Sequence, residues 1–379
     1  MSKPSILDDI GEMRKIDKNE VLGLCIKTPE YCKDAIKLAQ ASAVQRFIHR
    51  TAQRQPRNIL ITGMGGSAIG GEILQEWLLD RIKIPIQVCK DYVLPAYVNE
   101  DTLVFAVSYS GDTEETLTAF LEAVKRKSMI VSITSGGHLQ KFSESLGVPC
   151  VKVPRGLAPR IAFPYLFFPM IPLLGNIGVV SNYEEEVEEA IQILENIRDE
   201  NALSVPLKEN FAKKLAWELR DSIPIVYGFR QYGAVARRLK SEFNENSKIP
   251  SFFDVFPELN HNEIMGWESR QEFTKTFSVI LIRDKNEPPE IKQKIELTKE
   301  LALHKAKKTL EIHVKGEGKL ARMLSVLYLG DLTSVYLAIL HGVDPLPVKT
   351  ISKLKKQMEK KLNTVKELKA EVEKLAPKL

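Results

Sequence analysis

Residues 63–71 read GMGGSAIGG, five glycines around one serine. The apolar run Asn58–Thr62 (NILIT) precedes them, and Ile69, Ile73, Trp77 and Leu78 follow at helical spacing. A strand, a tight turn and a helix in immediate succession are the opening of a parallel α/β sheet, and few other folds accommodate that order. Further strands are predicted over Ile84–Cys89, Thr102–Ser108 and Met129–Thr134, with a helix over Glu114–Arg126 between the last two.

The second half follows the same plan. Pro224–Gly228 (PIVYG) precedes a helix through Val235, Leu239 and Phe243, and Phe277–Arg283, a further helix and Thr309–Val314 come after it. The expected fold is therefore α/β, with two mostly parallel sheets flanked by helices and a C-terminal helical extension. The expected division is 1–180, an acidic inter-domain helix over 181–200, 201–348, and a lysine-rich amphipathic helix over 349–379 that docks or dimerises. The apolar stretch Phe163–Val180 is broken by three prolines and two glycines, so buried irregular packing is expected there, not a membrane span.

Across 379 residues the net charge of +5 is too small to single out nucleic acid, and suits an anionic ligand without requiring one. The four cysteines form no C-x-x-C pair, and the first residues, MSKPSILDDIGEM, lack the basic start and apolar core of an export signal. A cytoplasmic protein is expected. No H-x-x-x-H or comparable ligand spacing occurs, and neither a metal nor another cofactor is expected.

At the opening of a helix, free backbone N–H groups make the glycine cluster a natural anion site. Two other readings compete: Gly63-x-Gly65-x-x-Ala68 fits a loose dinucleotide pattern with Asp91 as a ribose partner, and a tight turn can exist without any ligand. The segment Ser108-Tyr-Ser110-Gly-Asp-Thr113-Glu-Glu-Thr116 decides for phosphate. It places hydroxyls beside a glycine at the start of the next helix, which a dinucleotide would not need. Thr113 alone would read as a helix cap.

Candidate reaction chemistry lies in Glu242-Phe-Asn-Glu245-Asn-Ser-Lys248 and Glu258-Leu-Asn-His261-Asn-Glu263. Carboxylate, imidazole and amide side chains are dense in both. Aldose–ketose isomerisation needs a carboxylate to carry a proton between C1 and C2, a cation for the enediolate, and a His or Lys for ring opening. Arg160 stands in an apolar, proline-flanked segment, where a guanidinium is costly unless paired or poised for an anion.

The motifs G-M-G-G-Ser67-A, Ser108-Y-Ser110-G-D-Thr113, P-Arg160-x-A, F-N-Glu245-N-S-K and L-N-His261-N-E together resemble the bifunctional phosphoglucose/phosphomannose isomerases, from about Asn58 to Met358. The resemblance implies a metal-free enzyme that interconverts glucose 6-phosphate, fructose 6-phosphate and mannose 6-phosphate through a cis-enediol. Ser67, Ser108, Ser110 and Thr113 would hold the 6-phosphate, with the Gly66 backbone nearby. Glu245 would be the base, Arg160 would steady the developing charge, and His261 from a neighbouring subunit would assist ring opening, which implies a homodimer.

A C-terminal lysine is also implied, and Lys349, Lys353, Lys355 and Lys356 compete for it. Helix geometry selects Lys355, which shares a face with Ile351, Met358 and Leu362, expected to point inward. Leu346 replaces a small polar residue expected in relatives, which bears on mannose activity. An isomerase of an amino-sugar or pentose phosphate, and a sugar-phosphate sensor without turnover, are the alternatives. Neither nucleic acid nor a membrane is an expected partner.

Overall fold

The computed structural model describes residues 5–39 and 54–376. The chain forms two compact units, one made of residues 30–183 and 348–379 and the other of residues 1–29 and 184–347. Two connections thus depart from the linear division expected above. The opening residues 1–29 group with the second sheet, and the C-terminal helices group with the first.

The first unit holds a five-stranded sheet of order β2-β1-β3-β4-β5, with β1 at Asn58–Thr62, β2 at Ile86–Cys89, β3 at Thr102–Val107, β4 at Met129–Thr134 and β5 at Cys150–Lys152. All four pairings are parallel. Every residue of β3 and β4 is buried, which explains their predominantly apolar character, since helices cover both faces of such a sheet. β2 is shorter than expected, because Pro85 has no N–H to place in the ladder, although its carbonyl still accepts from Ile59 N–H at 2.9 Å. The stretch after Phe163 is buried as expected but regular, in short helices Phe163–Phe167 and Met170–Asn176.

The second unit holds a four-stranded parallel sheet of order β7-β6-β8-β9, with β6 at Ile223–Phe229, β7 at Phe252–Phe256, β8 at Phe277–Arg283 and β9 at Lys308–His313. The edge strands β5 and β7 were not foreseen: β5 has three residues, and β7 lies between Pro250 and Pro257 and is buried only at Phe256.

Helix Lys319–Leu340 is long and apolar enough to cross a membrane, yet almost all of it is buried within the unit. It packs on helices Glu184–Glu200, Phe211–Leu219 and Gly233–Glu245. Gly330 permits the last of these contacts, since a Cβ there would lie 2.3 Å from Leu239 Cγ. The acidic helix Glu184–Glu200 is thus a core layer of this unit; Val187, Ala190, Ile191, Leu194 and Ile197 supply its buried face.

The two sheets repeat one local backbone. Gly63 follows β1 and Gly65 opens a 3-10 turn with φ +50°, while near the end of β6 Gly228 precedes a 3-10 turn opened by Arg230 at φ +43°. Where the first turn ends in Ser67, the second ends in Tyr232, whose hydroxyl donates to Asp284 just after β8. Arg322 Nε lies 3.0 Å from the same carboxylate. Burial and Asp284 push the Tyr232 hydroxyl well above its ordinary pKa. Ring and ion pair therefore occupy the position that in the first unit carries small hydroxyls.

Candidate active site

The ends of β1 and β3 bring Ser67, Ser108 and Thr113 together as the sequence predicts. Ser67 Oγ accepts from Tyr109 N–H at 3.2 Å, and Ser108 Oγ accepts from Gly111 N–H at 3.1 Å. Ser110 Oγ accepts from Asp112 N–H at 3.2 Å and is exposed. Each oxygen is thereby oriented by a backbone donor, and its own hydroxyl proton is left to point at an acceptor. Thr113 occupies the cap position of helix Glu114–Lys125 but makes no cap hydrogen bond; its Oγ1 lies 3.0 Å from Ser108 Oγ. The first-turn N–H groups thus remain uncapped beside the hydroxyls, a donor-rich pocket suited to phosphate oxygens.

The glycines serve a different purpose from the one their number suggests. A Cβ on Gly63 would meet Val107 O at 2.9 Å, on Gly66 the Pro159 carbonyl at 3.0 Å, and on Gly71 the Ile61 side chain at 2.8 Å. Those three permit chain to pass chain. Only Gly65, with φ +50° and nothing within 4 Å of its Cβ position, is both conformationally required and open on its side-chain side. The contact at Gly66 also explains where Arg160 lies, because the Pro159–Arg160 peptide rests directly on the glycine turn. Arg160 is 2% exposed.

Tyr109 organises this region and was not singled out among the sequence candidates. Its N–H binds Ser67, its carbonyl accepts from Ser135 Oγ at 2.7 Å, and its hydroxyl donates to Pro154 O at 2.9 Å and accepts from Leu157 N–H at 2.8 Å. Burial raises its pKa, which favours the protonated hydroxyl that the bond to Pro154 O requires. One side chain therefore ties the hydroxyl turn to the segment leading to Arg160. A second support comes from β4: Gly111, at φ +72°, packs against Gly136, whose carbonyl would lie 1.8 Å from a Cβ. Asp112 Oδ1 accepts from His138 N–H at 2.9 Å and lies 2.6 Å from His138 Nδ1.

Glu245 and His261 belong to the second unit. Glu245 ends helix Gly233–Glu245 and is half-buried. One turn earlier, Glu242 pairs with Arg238 at 2.9 Å, and Arg238 also binds Asp331 through two bonds of 3.1 Å. Burial would lower the Arg238 pKa, but the Asp331 and Glu242 carboxylates outweigh it and hold the group above its ordinary value. Past the helix end, Asn246 Nδ2 donates to Glu242 Oε2 at 2.8 Å and to Ser334 Oγ at 2.9 Å. Lys248, in a left-handed conformation, donates to the Glu245 carbonyl and to Pro345 O, the latter at 2.9 Å. The motif residues around Glu245 thus fix its backbone, and Lys248 brings the segment carrying Leu346 beside it.

His261 lies on a 3-10 turn, Glu258–His261, held on both sides. Asn260 Nδ2 donates to Thr298 Oγ1 at 2.8 Å, and Glu263 Oε1 accepts from the Tyr227 hydroxyl at 3.1 Å. His261 itself is exposed and forms no side-chain hydrogen bond to a described residue.

Lys355 requires a correction. Helix Lys349–Leu362 has no buried residue, and Ile351, Leu354 and Leu362 are 44%, 59% and 58% exposed. Its apolar stripe exists as the spacing predicts, but it does not point into its own unit, so the inward face used to choose Lys355 is absent. Asp91, the ribose partner of the dinucleotide reading, instead accepts from Tyr92 N–H at 2.6 Å in its own loop. Among the described residues, no three His, Cys, Asp or Glu side chains gather as metal ligands would.

Comparison with known proteins agrees with this layout. Residues 53–144 match the SIS domain, and residues 208–358 match the bacterial phospho-glucose isomerase C-terminal SIS domain. A bifunctional phosphoglucose/phosphomannose isomerase of Caldicellulosiruptor bescii is 42% identical over 79% of this chain and 89% of its own length. One from Aquifex aeolicus is 38% identical over 80% and 91%. The structure of a hypothetical protein from Thermus thermophilus superposes with a TM-score of 0.73, covering 93% of this chain and 94% of that one; at 16% identity it speaks for the fold alone. With two sugar-isomerase domains in this order and relatives alike over most of both lengths, the chain belongs to the bifunctional phosphoglucose/phosphomannose isomerases.

Proposed function

We propose that the protein interconverts glucose 6-phosphate and fructose 6-phosphate, and mannose 6-phosphate as well, by metal-free proton transfer through a cis-enediol. The observation that carries this reading is the cluster of Ser67, Ser108 and Thr113 at an uncapped helix start. The Ser67 and Ser108 hydroxyls are oriented by backbone donors, and the Arg160 segment rests on the same turn as Ser67. The cluster recognises the 6-phosphate, with Ser110 at its rim.

In this mechanism Glu245 removes the C2 proton of the open-chain aldose, electrons move into the C1–C2 bond, and the carbonyl oxygen at C1 gains negative charge. Arg160 offsets that charge. A proton passes from the C2 hydroxyl to the C1 oxygen, and the same carboxyl returns its own proton to C1, leaving a hydroxyl at C1 and the ketone at C2. A homodimer is part of the proposal: His261 of the partner subunit assists ring opening, which suits a histidine exposed on an anchored turn. The exposed stripe Ile351, Leu354 and Leu362 provides apolar surface for assembly. The C-terminal lysine of the reaction lies on helix Lys349–Leu362 among Lys349, Lys353, Lys355 and Lys356, and Lys355 is the one put to the test. Cys25, Cys32, Cys89 and Cys150 form no disulfide, which suits a reducing cytoplasm.

The test is a coupled assay on glucose 6-phosphate and mannose 6-phosphate, with a chelator present and the Glu245→Gln protein as control. Loss of kcat by about 10²–10⁴-fold in the variant is expected. Wild-type activity in Glu245→Gln would exclude the mechanism, and tight substrate binding without turnover by the unmodified protein would favour a sensor.

A further inference from the structure

The chain continues beyond residue 358, where the family match ends, into a second helix, Thr364–Leu375. One residue separates it from helix Lys349–Leu362. Asn363, at φ 51°, is the C-cap of one and the N-cap of the other, and its N–H donates to Glu359 O at 3.3 Å. Asparagine tolerates this left-handed conformation better than most residues, so the junction is a defined turn, with no slack linker between the helices.

The two helices differ sharply. Lys349–Leu362 has no buried residue. In Thr364–Leu375, by contrast, Leu368 and Val372 are buried in the cluster that includes Leu117, Phe120, Leu139 and Phe142. Lys125 and Glu371 add an ion pair at 2.6 Å. The terminal helix packs on helices Glu114–Lys125 and Gly137–Ser145; the first begins at Thr113 of the anion cradle, and the second at the Gly136–Gly137 turn that supports Gly111.

We propose that Thr364–Leu375 is an anchor that, through the single-residue junction at Asn363, positions the Lys355-bearing helix on the phosphate-binding unit. Within its own chain, a helix with no buried side chain has little to order it except its ends. The anchor supplies that order at the C-terminal end, and it does so from the helix that opens at Thr113 and the helix beside it. The proposal rests on the reading of Lys355 as a reaction residue.

Two full-length variants test it. Leu368→Asn with Val372→Asn removes the buried contacts. Insertion of Gly-Ser-Gly-Ser after Asn363 keeps both helices and the core contacts but uncouples them, so it stays informative if the first variant misfolds. For the insertion variant, the inhibition constant of inorganic phosphate should stay within about twofold, while kcat falls by about tenfold or more and KM changes little. Backbone amide exchange in residues 351–361 should accelerate in parallel.

Unchanged exchange, or faster exchange with unchanged kcat, would overturn the anchor. Lys355→Ala separates this from failure of the underlying assignment. Full activity in Lys355→Ala removes the lysine from the reaction, whereas an inactive Lys355→Ala beside a fully active insertion variant refutes the anchor alone.

Discussion

The backbone N–H of Tyr109 donates to Ser67 Oγ at 3.2 Å, joining the turn after β1 to the turn after β3. Through its hydroxyl the same tyrosine holds the segment that leads to Arg160. Tyr109→Phe keeps the ring and the backbone bond but leaves Pro154 O and Leu157 N–H without that partner. Stability should fall by about 1–3 kcal/mol in denaturant titration, and KM should rise more than kcat falls.

Thr113→Val is nearly isosteric and leaves the uncapped helix start in place, since Thr113 makes no cap hydrogen bond. The hydroxyl that faces Ser108 is lost. Inhibition by inorganic phosphate should weaken by about tenfold, as one lost hydrogen bond to a charged group implies, with thermal stability changed far less. Unaltered phosphate inhibition would remove Thr113 from the cradle.

Gly111→Ala should be poorly tolerated. The residue has φ +72°, and the new Cβ would lie 1.8 Å from Gly136 O. Left-handed strain alone costs about 1–2 kcal/mol, and displacement of the Gly136 turn adds to it. Thermal denaturation of the variant measures the total, and a melting temperature equal to that of the parent would contradict the packing described.

If His261 acts across a dimer, inactive Glu245→Gln and inactive His261→Ala proteins should recover activity when refolded together. In a mixed dimer one site then pairs an intact Glu245 with an intact partner His261. Statistical assembly predicts about one quarter of wild-type activity, since half of the dimers are mixed and each has one complete site of two. No recovery would argue for sites complete within one chain.

Leu346 lies next to Pro345, whose carbonyl accepts from Lys248, the lysine that also caps the Glu245 helix. Leu346→Thr should therefore alter the ratio of kcat/KM for mannose 6-phosphate to that for glucose 6-phosphate by severalfold, about 1 kcal/mol of discrimination, with the phosphate inhibition constant unchanged.

The α/β character of both halves was legible because strands buried on both faces must be mostly apolar, as β3, β4 and β8 are, and because glycine and hydroxyl residues gather where such strands end. The hydroxyls of Ser67, Ser108 and Thr113 could be named for the same reason: their spacing from strand ends is local. Edge strands β5 and β7 escaped notice, since short strands at a sheet edge carry too little periodicity.

Nonlocal packing settled the rest. Tyr109 became an organising residue only when β1, β3 and the segment near Pro154 came together. Gly63 and Gly66 proved to be points where backbone passes backbone, and Gly71 one where a helix lies against a strand side chain. The C-terminal apolar stripe had the predicted period but an exposed face, since amphipathic spacing records which side chains align and not what covers them. The sequence determined the elements and the residue chemistry; tertiary contacts decided which side chains orient those residues, because such partners are remote in the chain.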